Sequence, residues 1–157
     1  MLKYSHNQGI GRIIDANLNR VKEGLRVCEE ITRFILDHRL LTASFKQARH
    51  KVDRAARMLQ DAGNLLKSRD SLKDVGRKNS RGELLRLDAA DIFRANLQRV
   101  KESIRVLEEF AKLTNIKAAL IFKDLRYKIY EIEKSSFSKI AALSDPGQKG
   151  LRKKAVK

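Results

Sequence analysis

Residues 16–34, ANLNRVKEGLRVCEEITRF, return at residues 95–113 as ANLQRVKESIRVLEEFAKL. At an offset of 79 with no gap, 11 of the 19 positions are identical: Ala, Asn, Leu, Arg, Val, Lys, Glu, Arg, Val, Glu and Glu. A second echo lies at an offset of 77, where Phe45, Lys46, Arg49 and Lys51 are answered by Phe122, Lys123, Arg126 and Lys128. The whole half is therefore duplicated. Two copies make an internally symmetric globule and not a solenoid, which needs at least three repeats to build its core. Most of the matched residues are charged. An apolar stripe is enough to pack a helix, so repeated surface charges demand a reason of their own.

At 157 residues the chain fits one domain, able to bury roughly two-thirds of the surface of its unfolded form. One proline and few aromatic residues favour an all-α architecture. Four long helices are legible from apolar spacing. The first spans about Arg12 to Leu36, with Leu18, Val21, Leu25, Cys28 and Thr32 on one stripe, and the second about Leu40 to Leu59. The third, about Asp88 to Leu113, and the fourth, about Ile116 to Lys134, repeat them. The expected fold is a four-long-helix bundle of two duplicated hairpins with pseudo-twofold symmetry, a single domain over residues 1–143. Its halves cover about 12–62 and 88–142, joined by a loop over 63–87. A connection that long inside a compact domain is more often functional than idle. After Asp145-Pro146-Gly147 the chain turns lysine-rich, and residues 144–157 read as a basic disordered tail.

Formal net charge is +16, of which the tail supplies +4. A body of +12 points to an anionic partner: a phosphorylated metabolite, an acidic protein or a nucleic acid. Aromatic residues interleaved with the basic ones are scarce, which disfavours a single-strand stacking platform. Cys28, the only cysteine, is replaced by Leu107 in the second repeat and reads as a small buried hydrophobe. With no internal disulfide, no signal peptide and no apolar run near 18 residues, the expected location is cytoplasmic and away from the membrane.

On a helical wheel, Asn17, Arg20, Glu23 and Gly24 fall on one flank of the apolar stripe, and Asn96, Arg99, Glu102 and Ser103 fall in the same places in the second copy. An asparagine, an arginine and a glutamate so arranged suit a phosphate joined to an amino- or hydroxyl-bearing ring. The same residues would equally lock the two halves by ion pairs across the pseudo-twofold. Small Gly24 and Ser103 admit close approach of a ligand or of another backbone. His50 follows Arg49 where Tyr127 follows Arg126, and a lone histidine there serves as a hydrogen-bonding residue or a catalyst. Asp70 and Asp74, beside Arg69 and Lys73, suit magnesium shared with phosphates, or else a helix cap and a local ion pair. No GxxxxGK[ST] loop, no Glu-x-x-His and no cysteine cluster occurs, which leaves the common nucleotide folds unsupported, disfavours a ferritin-like centre and excludes a cysteine-rich zinc site.

Asp15-Ala16-Asn17-Leu18-Asn19-Arg20 with Glu23-Gly24-Leu25-Arg26-Val27, then Arg49-His50, Ser68-Arg69-Asp70, Asp74-Val75-Gly76, Ala95-Asn96 with Arg99 and Glu102, Arg105-Val106-Leu107-Glu108-Glu109 and Arg126-Tyr127 together resemble one thiamine-biosynthesis family. It is the helical domain that occurs alone or in front of the barrel of thiamine-phosphate synthase, assigned as an alternative hydroxymethylpyrimidine-phosphate kinase. The resemblance spans about Arg12 to Lys134 and includes no synthase barrel. Arg77-Lys78 after Gly76 departs from the smaller residues expected there. The resemblance implies phosphoryl transfer from ATP, with Mg2+, to hydroxymethylpyrimidine phosphate. It puts Asn17, Arg20, Glu23, Asn96, Arg99 and Glu102 around the substrate, with His50 beside them. Arg49, Arg69 and Arg126 would meet phosphates, and Asp70 or Asp74 would hold the metal. A non-catalytic pyrimidine-phosphate-binding or synthase-docking module is the alternative. A thiamine-phosphate synthase partner and a homodimer are both compatible with it, and a nucleic-acid-binding bundle is the remaining rival.

Overall fold

The structure is a computed structural model that describes residues 5–59, 62–70, 74 and 85–144. Helix α1 runs His6–Glu30 and continues into one π-helical turn, Ile31–Ile35; α2 runs Arg39–Ala56, α3 Ala62–Ser68, α4 Ala89–Ala111 and α5 Ile116–Ala141. The bundle is all-helical, with α1 against α4 at its centre and α2 and α5 closing the ring. The short α3 lies against α1.

Each long helix starts at a capping residue. Ser5 Oγ accepts from Gln8 N, and Gln8 Oε1 accepts from Ser5 N, a reciprocal capping box that begins α1 six residues before Arg12. His38 Nδ1, Asp88 Oδ1 and Asn115 Oδ1 accept from the third residue beyond in α2, α4 and α5. At the end of the first hairpin arm the Leu36 amide reaches back five residues to the Ile31 carbonyl at 3.1 Å, and Asp37 then turns the chain in the left-handed region at φ 46. These two devices reverse the chain in very few residues.

The apolar stripes read from the sequence form the core. Ile14, Val21, Leu25 and Cys28 of α1 are fully buried, as are Phe45 of α2, Val100, Ile104 and Leu107 of α4, and Phe122, Leu125 and Ile129 of α5. Phe45 meets Phe93 edge to face at 5.7 Å, so one aromatic pair bridges the two halves. Cys28 is packing material. Its Sγ donates to the Phe93 carbonyl at 3.7 Å, and burial pushes the thiol up, away from the reactive thiolate.

Two expectations need correction. The segment 63–87 is not loop throughout, because α3 occupies its start; seven residues are too few to display a helical period. The fourth helix continues past Lys134 to Ala141, since Ser136 and Ile140 keep its buried face going. Of the tail at 144–157 only Ser144 lies within the described residues. No described helix is long and apolar enough to cross a membrane.

Candidate functional site

The N-terminal half of α1 carries its buried stripe on one side and a polar face on the other. Across that face the chain leaving α3 lays Arg69 and Asp70, with Asp74 close by, and the two segments enclose a cleft of about 400 Å³. Arg69 grips Asp15 in a two-pronged fork, Nε to Oδ2 at 2.7 Å and Nη2 to Oδ1 at 2.8 Å. Asp15 is buried, and its hydrogen bonds and charge, with a smaller contribution from Glu23, hold the Arg69 guanidinium above its ordinary pKa. Arg12 Nη2 donates to the Asp70 carbonyl at 3.2 Å and so tethers the same segment a second time.

Asn17 and Asn19 complete the floor. Their Nδ2 groups donate back along the helix, to the Ile13 carbonyl at 2.9 Å and the Asp15 carbonyl at 3.0 Å, which fixes both amides and leaves their Oδ1 atoms as acceptors. Arg20 stands exposed at the rim and makes no ion pair with a described residue. The cleft thus combines fixed amide acceptors, guanidinium donors and the carboxylates of Asp70 and Asp74. Such a set has the donors and acceptors to hold a phosphate attached to a hydrogen-bonding ring.

The remaining sequence-derived candidates lie elsewhere. Arg49 Nε binds Glu29 Oε2 at 2.8 Å, and its counterpart Arg126 Nε binds Glu108 Oε2 at 2.8 Å; both glutamate side chains are only 5% exposed. Arg26 and Arg105 add a second cation to each buried carboxylate, at 3.4 and 3.0 Å. Arg49 and Arg126, expected on phosphates, therefore hold α2 to α1 and α5 to α4 inside each half. Hydrogen bonds to Tyr130 and Glu108 push Arg126 further above its ordinary pKa. His50 is exposed on α2 and does not line the cleft. Glu23 borders a neighbouring depression with Arg26 and Arg49.

Asn96, Arg99 and Glu102 do not line the cleft either, because α4 contributes nothing to it. Asn96 repeats the back-bond of Asn17, donating to the Ile92 carbonyl at 2.8 Å, and Glu102 accepts from Gln98 on its own helix. The close approach that small Gly24 permits is made by a helix: a Cβ there would lie 2.7 Å from Val100 Cγ2 and 3.0 Å from the Asn96 carbonyl oxygen.

Arg12, Asp15 and Asn19 were not singled out as site residues from the sequence. A signal was present, since at the repeat offset of 79 Arg12 faces Asp91 and Asp15 faces Arg94, two charge inversions just ahead of a stretch where charges are preserved. The site sits where the duplication breaks.

Comparison with known proteins gives a consistent placement. The family model of the ThiD2 family matches residues 12–135. A thiamine-phosphate synthase of a Synechocystis species is 44% identical over 125 residues, covering 79% of this chain and 35% of the relative. Proteins of the same name from Rhodopirellula baltica and Thermosynechococcus vestitus are 35% and 37% identical, covering 88% and 83% of this chain and 37% and 36% of their own lengths. The chain thus spans about a third of the curated relatives it matches. No solved structure matches it. With the family pattern running from Arg12 through the cleft segment and both hairpins, the chain belongs to the ThiD2 family.

Proposed function

We propose that this chain acts in thiamine biosynthesis as a phosphotransferase, moving the γ-phosphoryl group of ATP onto hydroxymethylpyrimidine phosphate to give the diphosphate. The observation that carries the reading is the convergence of Arg69, Asp70 and Asp74 on the Asn17–Arg20 turn of α1 in one cleft. The fixed Oδ1 atoms of Asn17 and Asn19 accept from the ring amino group, and Arg20 and Arg12 meet the phosphate. Arg69 spends two of its five N–H donors on Asp15, and the other three, which bond no described residue, meet the transferring group. An anionic oxygen of the substrate phosphate attacks the γ-phosphorus as the bond to ADP breaks, so no general base is needed. Positioning and charge neutralisation are the main requirements of such a transfer.

Beside Asp15, which Arg69 holds, the cleft is lined by the carboxylates of Asp70 and Asp74, and two such groups suit magnesium, which takes one or two protein oxygens and completes its sphere with water and phosphate. Asp70 and Asp74 would hold it, and when bound it supplies positive charge to the phosphates.

The test is incubation of the pure chain with ATP, magnesium and the pyrimidine monophosphate, read by phosphorus NMR. Diphosphate and ADP appearing in equal amounts is the expected result. Stoichiometric binding of the monophosphate with no product would overturn the kinase reading in favour of a binding or docking module. The second reading draws on the relatives, which carry about two-thirds of their length beyond the matched part and are named thiamine-phosphate synthase.

A further inference from the structure

The outer face of α5 is apolar where its duplicate is polar. Ile116, Leu120, Tyr127, Tyr130 and Phe137 recur at helical spacing, with Lys123 and Lys134 at the intervening positions, on the side opposite the buried Phe122, Leu125, Ile129 and Ile132. The five apolar residues are 40–73% exposed. At the offset of 77, α2 holds Arg39, Ala43, His50 and Asp53 in the places of the first four. The duplication serves as an internal control: the hairpin does not need these side chains in order to fold.

We propose that this stripe is a dimer interface, covered by α5 of a second copy lying antiparallel about a twofold axis near Tyr127. The stripe is self-complementary in that arrangement. Its first and last members, Ile116 and Phe137, are equidistant from the axis, so each meets the other across the interface. Lys123 comes against Tyr130 and Glu131 of the second copy, giving a cation over an aromatic face beside an opposite charge. Leu120 lies along the aliphatic stem of the other Lys134.

The centre is pre-set before a partner arrives. Tyr127 and Tyr130 stand edge to face at 6.1 Å, and the Arg126 guanidinium lies 4.9 and 5.8 Å from their rings. Arg126, held by Glu108, also donates to Tyr130 Oη at 3.3 Å, so part of the side-chain entropy is lost before docking. In area, five large side chains about half exposed present on the order of 600 Å² per copy. With the two lysine stems, this approaches the roughly 800 Å² per partner of a standard stable interface.

The experiment is sedimentation velocity on the whole chain, wild type beside Leu120→Glu, Leu120→Gln and Ala43→Glu. Ala43 is the exposed counterpart of Leu120 in the first half, so Ala43→Glu imposes the same final charge on the face that lacks the stripe. The wild type and Ala43→Glu should sediment as dimers, while both Leu120 variants dissociate at least about a hundredfold more readily with unchanged helical circular dichroism. The neutral Leu120→Gln serves if the charged variant fails to fold. A wild type that stays monomeric up to roughly 0.1 mM would overturn the proposal. So would a dimer that the Leu120 variants weaken no more than Ala43→Glu does.

Discussion

The repeated charges fall into two groups when each side chain is followed to its partner. Glu29 with Arg49 and Glu108 with Arg126 are desolvated pairs joining the two helices of a hairpin. Removing the arginine leaves a carboxylate buried with only the weaker contact to Arg26 or Arg105. Arg49→Ala and Arg126→Ala should therefore each cost about 3 kcal/mol in urea unfolding, whereas exposed Arg20→Ala and Arg99→Ala should change stability by less than about 0.5 kcal/mol. Equal losses in all four would refute the division. The sequence displays that these charges recur but not why, since Glu29 and Arg49 sit on different helices and a wheel records angle within one helix only. The apolar stripes were legible for the converse reason, because a period is contained within its own helix.

Between elements, the most extensive contact is that of α1 with α4, and Gly24 lies in it. Adding a methyl group at Gly24 gains roughly 1 kcal/mol of helix propensity. It also drives that carbon against Val100 and the backbone oxygen of Asn96, an overpacking that costs about 1–3 kcal/mol and cannot be relieved by turning a flexible side chain. Gly24→Ala should thus lower stability by about 1 kcal/mol, and a rise in the urea midpoint would show that the helices have room to separate. Across the other seam, Lys51 Nζ reaches Asp124 Oδ2 at 2.8 Å, linking α2 to α5, and this bond and charge depress the Asp124 pKa. A depressed carboxylate stabilises the fold above its unfolded pKa, and the contribution vanishes as pH falls through the folded value. Carbon-detected NMR titration should find Asp124 below the ordinary aspartate range, returning towards it in Lys51→Met. Both partners are solvent-exposed, so the effect belongs to the titration curve far more than to the melting temperature. Small Gly24 marked a close approach beforehand but not its partner, and the Lys51–Asp124 seam was not readable at all, because register between helices depends on how the hairpins dock.

Taken whole, the molecule has a symmetric frame and an asymmetric cleft. Duplication supplied two equivalent flanks, and the matching triads Asn17, Arg20, Glu23 and Asn96, Arg99, Glu102 left open one site or two, although the segment carrying Asp70 and Asp74 occurs once. The cleft uses α1 and that single segment after α3, and the residues that tie them are those whose second-half counterparts have opposite charge: Arg12 against Asp91, and Asp15 against Arg94. Arg94 donates to Ser144 and so serves the C-terminal end of α5, not a second clamp. If ligand binding follows this geometry, calorimetry should return one pyrimidine monophosphate per chain. Arg20→Ala should weaken that binding by about tenfold or more, the typical loss for a hydrogen bond to a charged group. Arg99→Ala, the same change on the same repeat 79 residues later, should leave it within about twofold, as surface substitutions away from a site do. Two sites per chain, or equal losses in both variants, would return the function to the pseudo-twofold axis. The contrast isolates location from chemistry, since the two arginines share residue type, exposure and helix position and differ in whether the Arg69–Asp70 segment faces them.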